Sequence, residues 1–491
     1  MKYRILALVC TVIVIISCSR TNQPSENVIG PNKPKIENGI LTPEVLWSFG
    51  RLGEITVSPN GSTIAYTITW YSVEQNSSNS DLYIMNSDGS NKKQITSTSA
   101  HEFNPAWVTN SKLAFLSTEG ETAQIWTINI DGSNKQKISS FESDINGFQI
   151  SPKGDKVLFI SEVKVDKNTT DIYPDLPKAS GMMINDLMYR HWDTWEDGLY
   201  SHIFVADLSD GVVKNAKDIM QGEPYDSPLK PFSGMEEISW TPDGKQIAYT
   251  CKKLKGKAYA FSTNSDIYLY NTENGEVKNL TEGMPGYDKA PAFSPNGNKM
   301  AWLSMERAGF EADKDRLFVM DLASGQKTYM TSNFDYSVSN IQWTPDGNTI
   351  YMIAGVNATY QIYKMDLVSK EIKAVTQGNH DYHSVAIAGN ILIGSKVNIT
   401  KPEEIYSINP ADGKEVELSF INKEILDQLT MPTVEQRWIK STDGKMVFSW
   451  IILPPNFDKT KKYPTLLYCE GGPQSAVSQF WSYRWNFSIM A

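Results

Sequence analysis

The residues with types suited to chemistry gather at two places in the chain. One is Tyr468-Cys469-Glu470-Gly471-Gly472-Pro473-Gln474-Ser475, where an apolar run enters a Gly-Gly-Pro turn. The other is a cluster of Tyr189, His191, Trp192, Asp193, Trp195, Glu196 and Asp197. Its carboxylates have the charge to pair with a peptide's amino terminus, and its aromatic rings suit a loop that packs on itself. Both readings of the cluster stand at this stage. Serine nucleophiles of strand-to-helix elbows sit in Gly-x-Ser-x-Gly, and that pattern occurs nowhere in the 491 residues. Ser475 lacks the flanking glycines and is not read as a nucleophile. Glu236-Glu237 and Glu403-Glu404 are neighbours in sequence, so they point to opposite faces of a strand and read as solvated surface. Cysteines show no metal-ligand spacing. Cys251 and Cys469 read as two separate thiols, with a disulfide as the alternative. Neither a metal nor a cofactor is called for.

The elements that must position these residues follow from a repeat. Ser/Thr-Pro-x-Gly recurs as SPNGSTIAYT at Ser58, SPKGDKVLFI at Ser151, TPDGKQIAYT at Thr241, SPNGNKMAWL at Ser294 and TPDGNTIYMI at Thr344. WVTNSKLAFLS at Trp107 and AIAGNILIGS at Ala386 are degenerate copies. Proline presets φ and glycine closes the turn, and the alternating run that follows reads as a strand. A second phrase follows the first, as in DLYIMNSDGSNKKQIT, DIYLYNTENGEVKNLT and RLFVMDLASGQKTYMT: strand, hairpin turn, strand. At a period of roughly 45 to 50 residues this pattern is a four-stranded propeller blade. Seven copies predict an all-β seven-bladed β-propeller over residues 55–418. The interval from Pro152 to Pro242 is too long for a regular blade; it reads as nearly two blades with an insertion, and the insertion carries the acidic-aromatic cluster. All five histidines, His101, His191, His202, His380 and His383, fall within the propeller. His380 and His383 occupy a loop position that other blades fill with Tyr287-Asp288 or Asp335-Tyr336, so they read as structural rather than metal-binding.

Outside the repeat, residues 1–17 combine a basic start with an apolar stretch ending Ile15-Ile16-Ser17-Cys18. This matches a signal peptide with a lipobox, and Cys18 is the expected lipidation site; a plain secretory signal is the alternative. Residues 18–40 are polar and read as a flexible tether. Residues 41–54 hold a short helix with Thr42 as N-cap and Pro43 in its first turn. The formal charge of −10 argues against nucleic acid or an anionic membrane surface as partner, leaving the membrane only through the lipid anchor. Oligomeric state is left open. Residues 419–491 read as a different domain: a hairpin around Asp443-Gly444, then an apolar run through Leu466 and Leu467 suited to a strand buried on both faces. Such a strand needs neighbours and covering helices, so the domain is expected to be incomplete.

A propeller followed by RWIKSTDGKMVFSWIILPPNF and then EGGPQS resembles the prolyl oligopeptidase family of serine peptidases, and the insertion YRHWDTWEDG resembles that of its dipeptidyl peptidase V members. The likeness covers the chain from the tether onward. It implies a propeller capping an α/β-hydrolase domain, of which residues 419–491 would be the incomplete start. It implies an exported dipeptidyl or oligopeptidase acting on short peptides, with its Ser-Asp-His triad beyond Ala491. Glu470, Gly471 and Gly472 would form part of the oxyanion loop, although relatives often place His where Glu470 stands. Glu196 and Trp195, with Asp193 or Asp197, would hold the substrate's free amine. The helix near Thr42 would side with the hydrolase. A non-catalytic TolB-like propeller that binds protein or peptide is the competing reading.

Overall fold

The computed structural model describes residues 28–469, 471 and 476–491. The proposed signal peptide, Cys18, Glu470 and Gly472 lie outside the described residues. Seven four-stranded antiparallel sheets follow one another along the chain. Their first strands are Arg51–Val57, Glu102–Thr109, Gly147–Ile150, Ile238–Trp240, Asp288–Phe293, Val338–Trp343 and Asp381–Ala388. We number the blades 1 to 7 in that order. The expected seven-bladed propeller is therefore present. Pro152 to Pro242 spans one blade and its insertion, not nearly two blades, because the insertion falls between the second and third strands of blade 3, Lys156–Lys164 and Leu199–Ser209.

Two local devices explain the repeated phrases. In all five Ser/Thr-Pro-x-Gly turns the glycine N–H donates to the Ser/Thr carbonyl at 2.8 Å. The Ser/Thr side-chain oxygen also accepts from the N–H five residues on, at 2.9–3.0 Å. The glycine takes a positive φ, 74° at Gly61, where a side chain would also meet the backbone of Gly389. The second phrase begins and ends on residues that clasp each other. Thr281 Oγ1 accepts from Ile267 N at 2.9 Å and bonds Asp266 at 3.1 Å. Ser139 and Thr376 do the same with Gln124 and Gln361, and Thr96, Thr331 and Ser419 cap the matching strands of blades 1, 5 and 7. Blade 3 substitutes His202, whose ring nitrogens meet Asp218 at 2.8 Å and the Glu223 carbonyl at 2.9 Å. The clasp satisfies buried polar groups at the strand's entry, a position otherwise costly to desolvate.

Each blade comes from one continuous stretch of chain, so no strand is shared across the ring closure. Packing closes it: Ile64, Tyr66, Ile68, Trp70 and Met85 of blade 1 form one core with Ala388, Ile393, Ile405 and Leu418. The predicted helix forms as Pro43–Trp47, with Thr42 Oγ1 accepting from Val45 N. Its Val45 and Leu46 pack with Phe49, Val397, Ile425 and Trp481. The tether expected through residue 40 differs at its end. Ile29 is buried and its N–H bonds Asn79 at 2.7 Å, while Ile36 joins the helix core, because two apolar side chains suffice to dock this stretch.

Past the propeller, Thr433–Lys440 and Met446–Leu453 pair as an isolated hairpin, the first strand largely exposed and the second mostly half-buried. The strand expected through Leu466 and Leu467 does not form: residues 462–469 join no ladder, and the two leucines are 74% and 88% exposed. An extended run becomes a strand only by pairing, and this run pairs with no described segment. The surface placement expected for the glutamate pairs also fails. Glu237 and Glu404 are buried, the first accepting from Leu229 N at 2.9 Å, the second bonded to Ser419.

Candidate functional site

Antiparallel alternation puts the Ser/Thr-Pro-x-Gly turns on one rim of the ring. The blade entries and the insertion lie on the opposite rim. Residues 477–491 pack on that same opposite rim, where Ile399 N meets Gln479 at 3.4 Å and Ser488 donates to Ile399 O at 2.9 Å. The insertion and the C-terminal segment thus share a face.

The base of the insertion is pinched where Val165 N bonds Gly198 O at 3.0 Å. Asn168 caps the short helix Thr169–Ile172 in a capping box with Asp171. A two-stranded ribbon, Arg190–His191 against Thr194–Trp195, then turns through Trp192 at φ 56°. The ribbon stacks Arg190 5.1 Å over Trp195 and sets Trp195 6.2 Å from Tyr189. Glu196 leaves the ribbon with its N–H bonded to Tyr189 O at 3.0 Å and its side chain half-buried.

Around Glu196 the fold gathers residues from three other segments. Asp226, buried, accepts from Ser201 N at 2.8 Å and lies 3.7 Å from the Lys230 ammonium. Lys230 donates to Glu162 at 2.7 Å and to Leu199 O at 3.1 Å. Burial, helped by the charges of Asp226 and Asp197 and opposed by Lys230, pushes the Glu196 carboxyl up to about 7. Burial would lower the Lys230 ammonium, but Glu162, Asp226 and Asp197 outweigh it and hold it up. One lysine therefore faces four carboxylates, Glu162, Glu196, Asp197 and Asp226. The site is short of positive charge and half-desolvated, the condition that favours capture of an ammonium.

The sequence-predicted residues divide accordingly. Glu196 and Asp197 belong to this cluster. Asp193, exposed at the ribbon turn, and Trp195, stacked between Tyr189 and Arg190, stand beside it. Asp226, Lys230 and Glu162 were missed, and no local pattern marks them, since the ring brings them together from blade 3 and the loop after it. Of the oxyanion-loop candidates only Gly471 is described, and a side chain there would meet nothing within 4 Å. Cys251 is buried and Cys469 exposed, both free thiols.

The fold defines the class as a seven-bladed β-propeller protein with a carboxylate-rich insertion that shares its face with a segment beyond the last blade, and comparison with known proteins narrows it. The TolB beta propeller domain family matches residues 49–180 and 235–428. A dipeptidyl-peptidase 5 of Porphyromonas gingivalis is 47% identical over 452 residues, covering 92% of this chain and 66% of the relative. One from Porphyromonas endodontalis is 39% identical over 493 residues, covering 100% and 71%. Among solved structures, the acylaminoacyl peptidase of Pyrococcus horikoshii superposes with a TM-score of 0.71 at 19% identity, covering 92% of this chain and 65% of that one, a likeness of fold. The chain belongs to the dipeptidyl-peptidase 5 family. It spans about two thirds of the length of these relatives.

Proposed function

We propose that this chain is the propeller and amine-anchoring part of an exported serine-type dipeptidyl peptidase, in which a free peptide amino terminus docks on Glu196 and Asp226. The observation that carries the reading is the excess of carboxylates over Lys230 in the half-buried cluster at the foot of the insertion. In this reading the serine nucleophile belongs to an α/β-hydrolase domain, and the support is the likeness to relatives named dipeptidyl-peptidase 5, of whose length this chain spans about two thirds. In this scheme the ammonium replaces the proton that Glu196 holds near neutrality. Fixing the amine at a set distance from the scissile carbonyl is what makes a dipeptide the product, since orientation alone supplies a large share of rate.

The pH dependence follows. Glu196 must ionise, which happens as pH rises through about 7, and the peptide amine must stay charged, which fails above about 8. Binding of a free-amine tripeptide, followed by calorimetry on this chain, is expected to peak between those limits. Acetylating the peptide, or Glu196→Gln, should weaken it by about tenfold or more, the scale of one charge-assisted contact of ~1.4 kcal/mol or greater. Equal affinity for free and acetylated peptides would sink the proposal.

A further inference from the structure

A second cavity, of about 780 Å³, opens on the same rim between blades 1, 2 and 7, away from the insertion in blade 3. Its size is that of a small-molecule or side-chain site. Glu54 lines it from the first strand of blade 1 and Glu403 from the third strand of blade 7. Between them Thr67, Thr69, Ser78 and Ser80 from blade 1 and Ser384 and Ser395 from blade 7 contribute hydroxyls, while the exposed wall is mostly apolar, with Tyr71 and Phe103 giving an aromatic side. Among the described residues, no lysine or arginine lines it.

Solvent meets the charge of exposed Glu54, and a histidine meets that of Glu403. Glu54 accepts from Thr67 Oγ1 at 3.3 Å and makes no ion pair among the described residues. Glu403 lies 3.3 Å from His383 Nδ1, a partner that is cationic only when protonated. His101 also lines the wall. Arg51 does not line the cavity but stacks on Tyr71 of its wall. Its guanidinium sits 3.9 Å from the centres of Tyr71 and Tyr483 and 4.7 Å from Trp47. Two carboxylates from different blades, several hydroxyls and a mostly apolar, partly aromatic wall suit a long cationic side chain: the head pairs with a carboxylate and donates to hydroxyls, and the methylenes lie on the apolar wall.

We infer that this cavity is a binding site for a lysine or arginine side chain of a peptide, separate from the amine anchor at Glu196. The assignment does not rest on the proposed peptidase function, and the test separates the two. N-acetylated, C-amidated Ala-Lys-Ala has no free amine and cannot use Glu196; the norleucine analogue keeps its length and loses its charge. Calorimetry on the full chain is expected to show the lysine peptide binding about tenfold or more tighter than the norleucine one, the factor that one ~1.4 kcal/mol charge contact supplies. Glu54→Gln combined with Glu403→Gln should abolish the difference, and Glu196→Gln should leave it intact. Equal binding of the two peptides by the unmodified chain would overturn the inference without bearing on Glu196. So would a difference that survives in the double variant.

Discussion

His380, just before the first strand of blade 7, and His383, within that strand, show how neighbouring imidazoles meet opposite fates. Burial, aided by the charge of Lys396, drives His380 down to about 4, and the Glu415 carboxylate at 3.6 Å is too far to hydrogen-bond it back. It is neutral at pH 7. Protonation is less favourable in the folded state, so its contribution to stability is present above about 6.5 and is lost as pH falls toward 4. Burial also acts to lower His383, but the hydrogen bond and charge of Glu403, together with Asp381, prevail and raise it. The His383–Glu403 pair thus contributes below the ordinary imidazole value and is lost as pH rises through the raised one. NMR titration should place the His383 midpoint above 6.5, the unperturbed value, and Glu403→Gln should bring it down. A midpoint unmoved by that substitution would refute the pairing.

At the scale of the element, the clasp between the ends of the second phrase is what seats the third strand. Thr281 is fully buried and serves both Ile267 N and Asp266. Thr281→Val keeps the shape but strands a buried donor, so it should cost roughly 1–3 kcal/mol. Hydrogen exchange should locate the loss in blade 4, with faster exchange at the Ile267 amide and little change in blades 1 and 7. Uniform acceleration around the ring would mean the clasp is not a local device. The short ribbon before Glu196 is the opposite kind of element. Its two pairs and exposed Trp192 give it little stability of its own, and ring stacking with Tyr189 and Arg190 stiffens it.

For the molecule as a whole, burial puts acids where water cannot reach. Asp81, Glu237 and Asp288 are each raised to about 7, chiefly by desolvation. Unfolded, such groups release their protons near pH 4. The folded ring therefore holds protons that the unfolded chain gives up, and these groups favour folding at low pH and cease to as pH rises through about 7. Three carboxyls outweigh the opposing His380. The Tm should be higher near pH 5.5 than near pH 8, and Asp288→Asn should narrow the gap while keeping an acceptor for Trp302 Nε1, now at 2.7 Å. A Tm that rises steadily toward pH 8 would contradict this balance.

What the sequence determined by itself is whatever a few consecutive residues can enforce. Proline and glycine set the turn torsions, alternation sets the strand faces, and a Ser or Thr closing the phrase sets the clasp in every blade but the third, so seven blades, the capped helix at Thr42 and the site of the insertion were all legible. Tertiary structure decided the rest, because those features depend on partners distant in the chain. Glu196 stands at the ribbon's foot in any reading, but only the closed blade brings Asp226, Lys230 and Glu162 around it. Glu54 and Glu403 lie at opposite ends of the propeller sequence and face one cavity only because blade 7 packs on blade 1. Leu466 and Leu467 make the same point in reverse: an apolar run states a preference for a sheet, and pairing with another segment decides whether it becomes a strand.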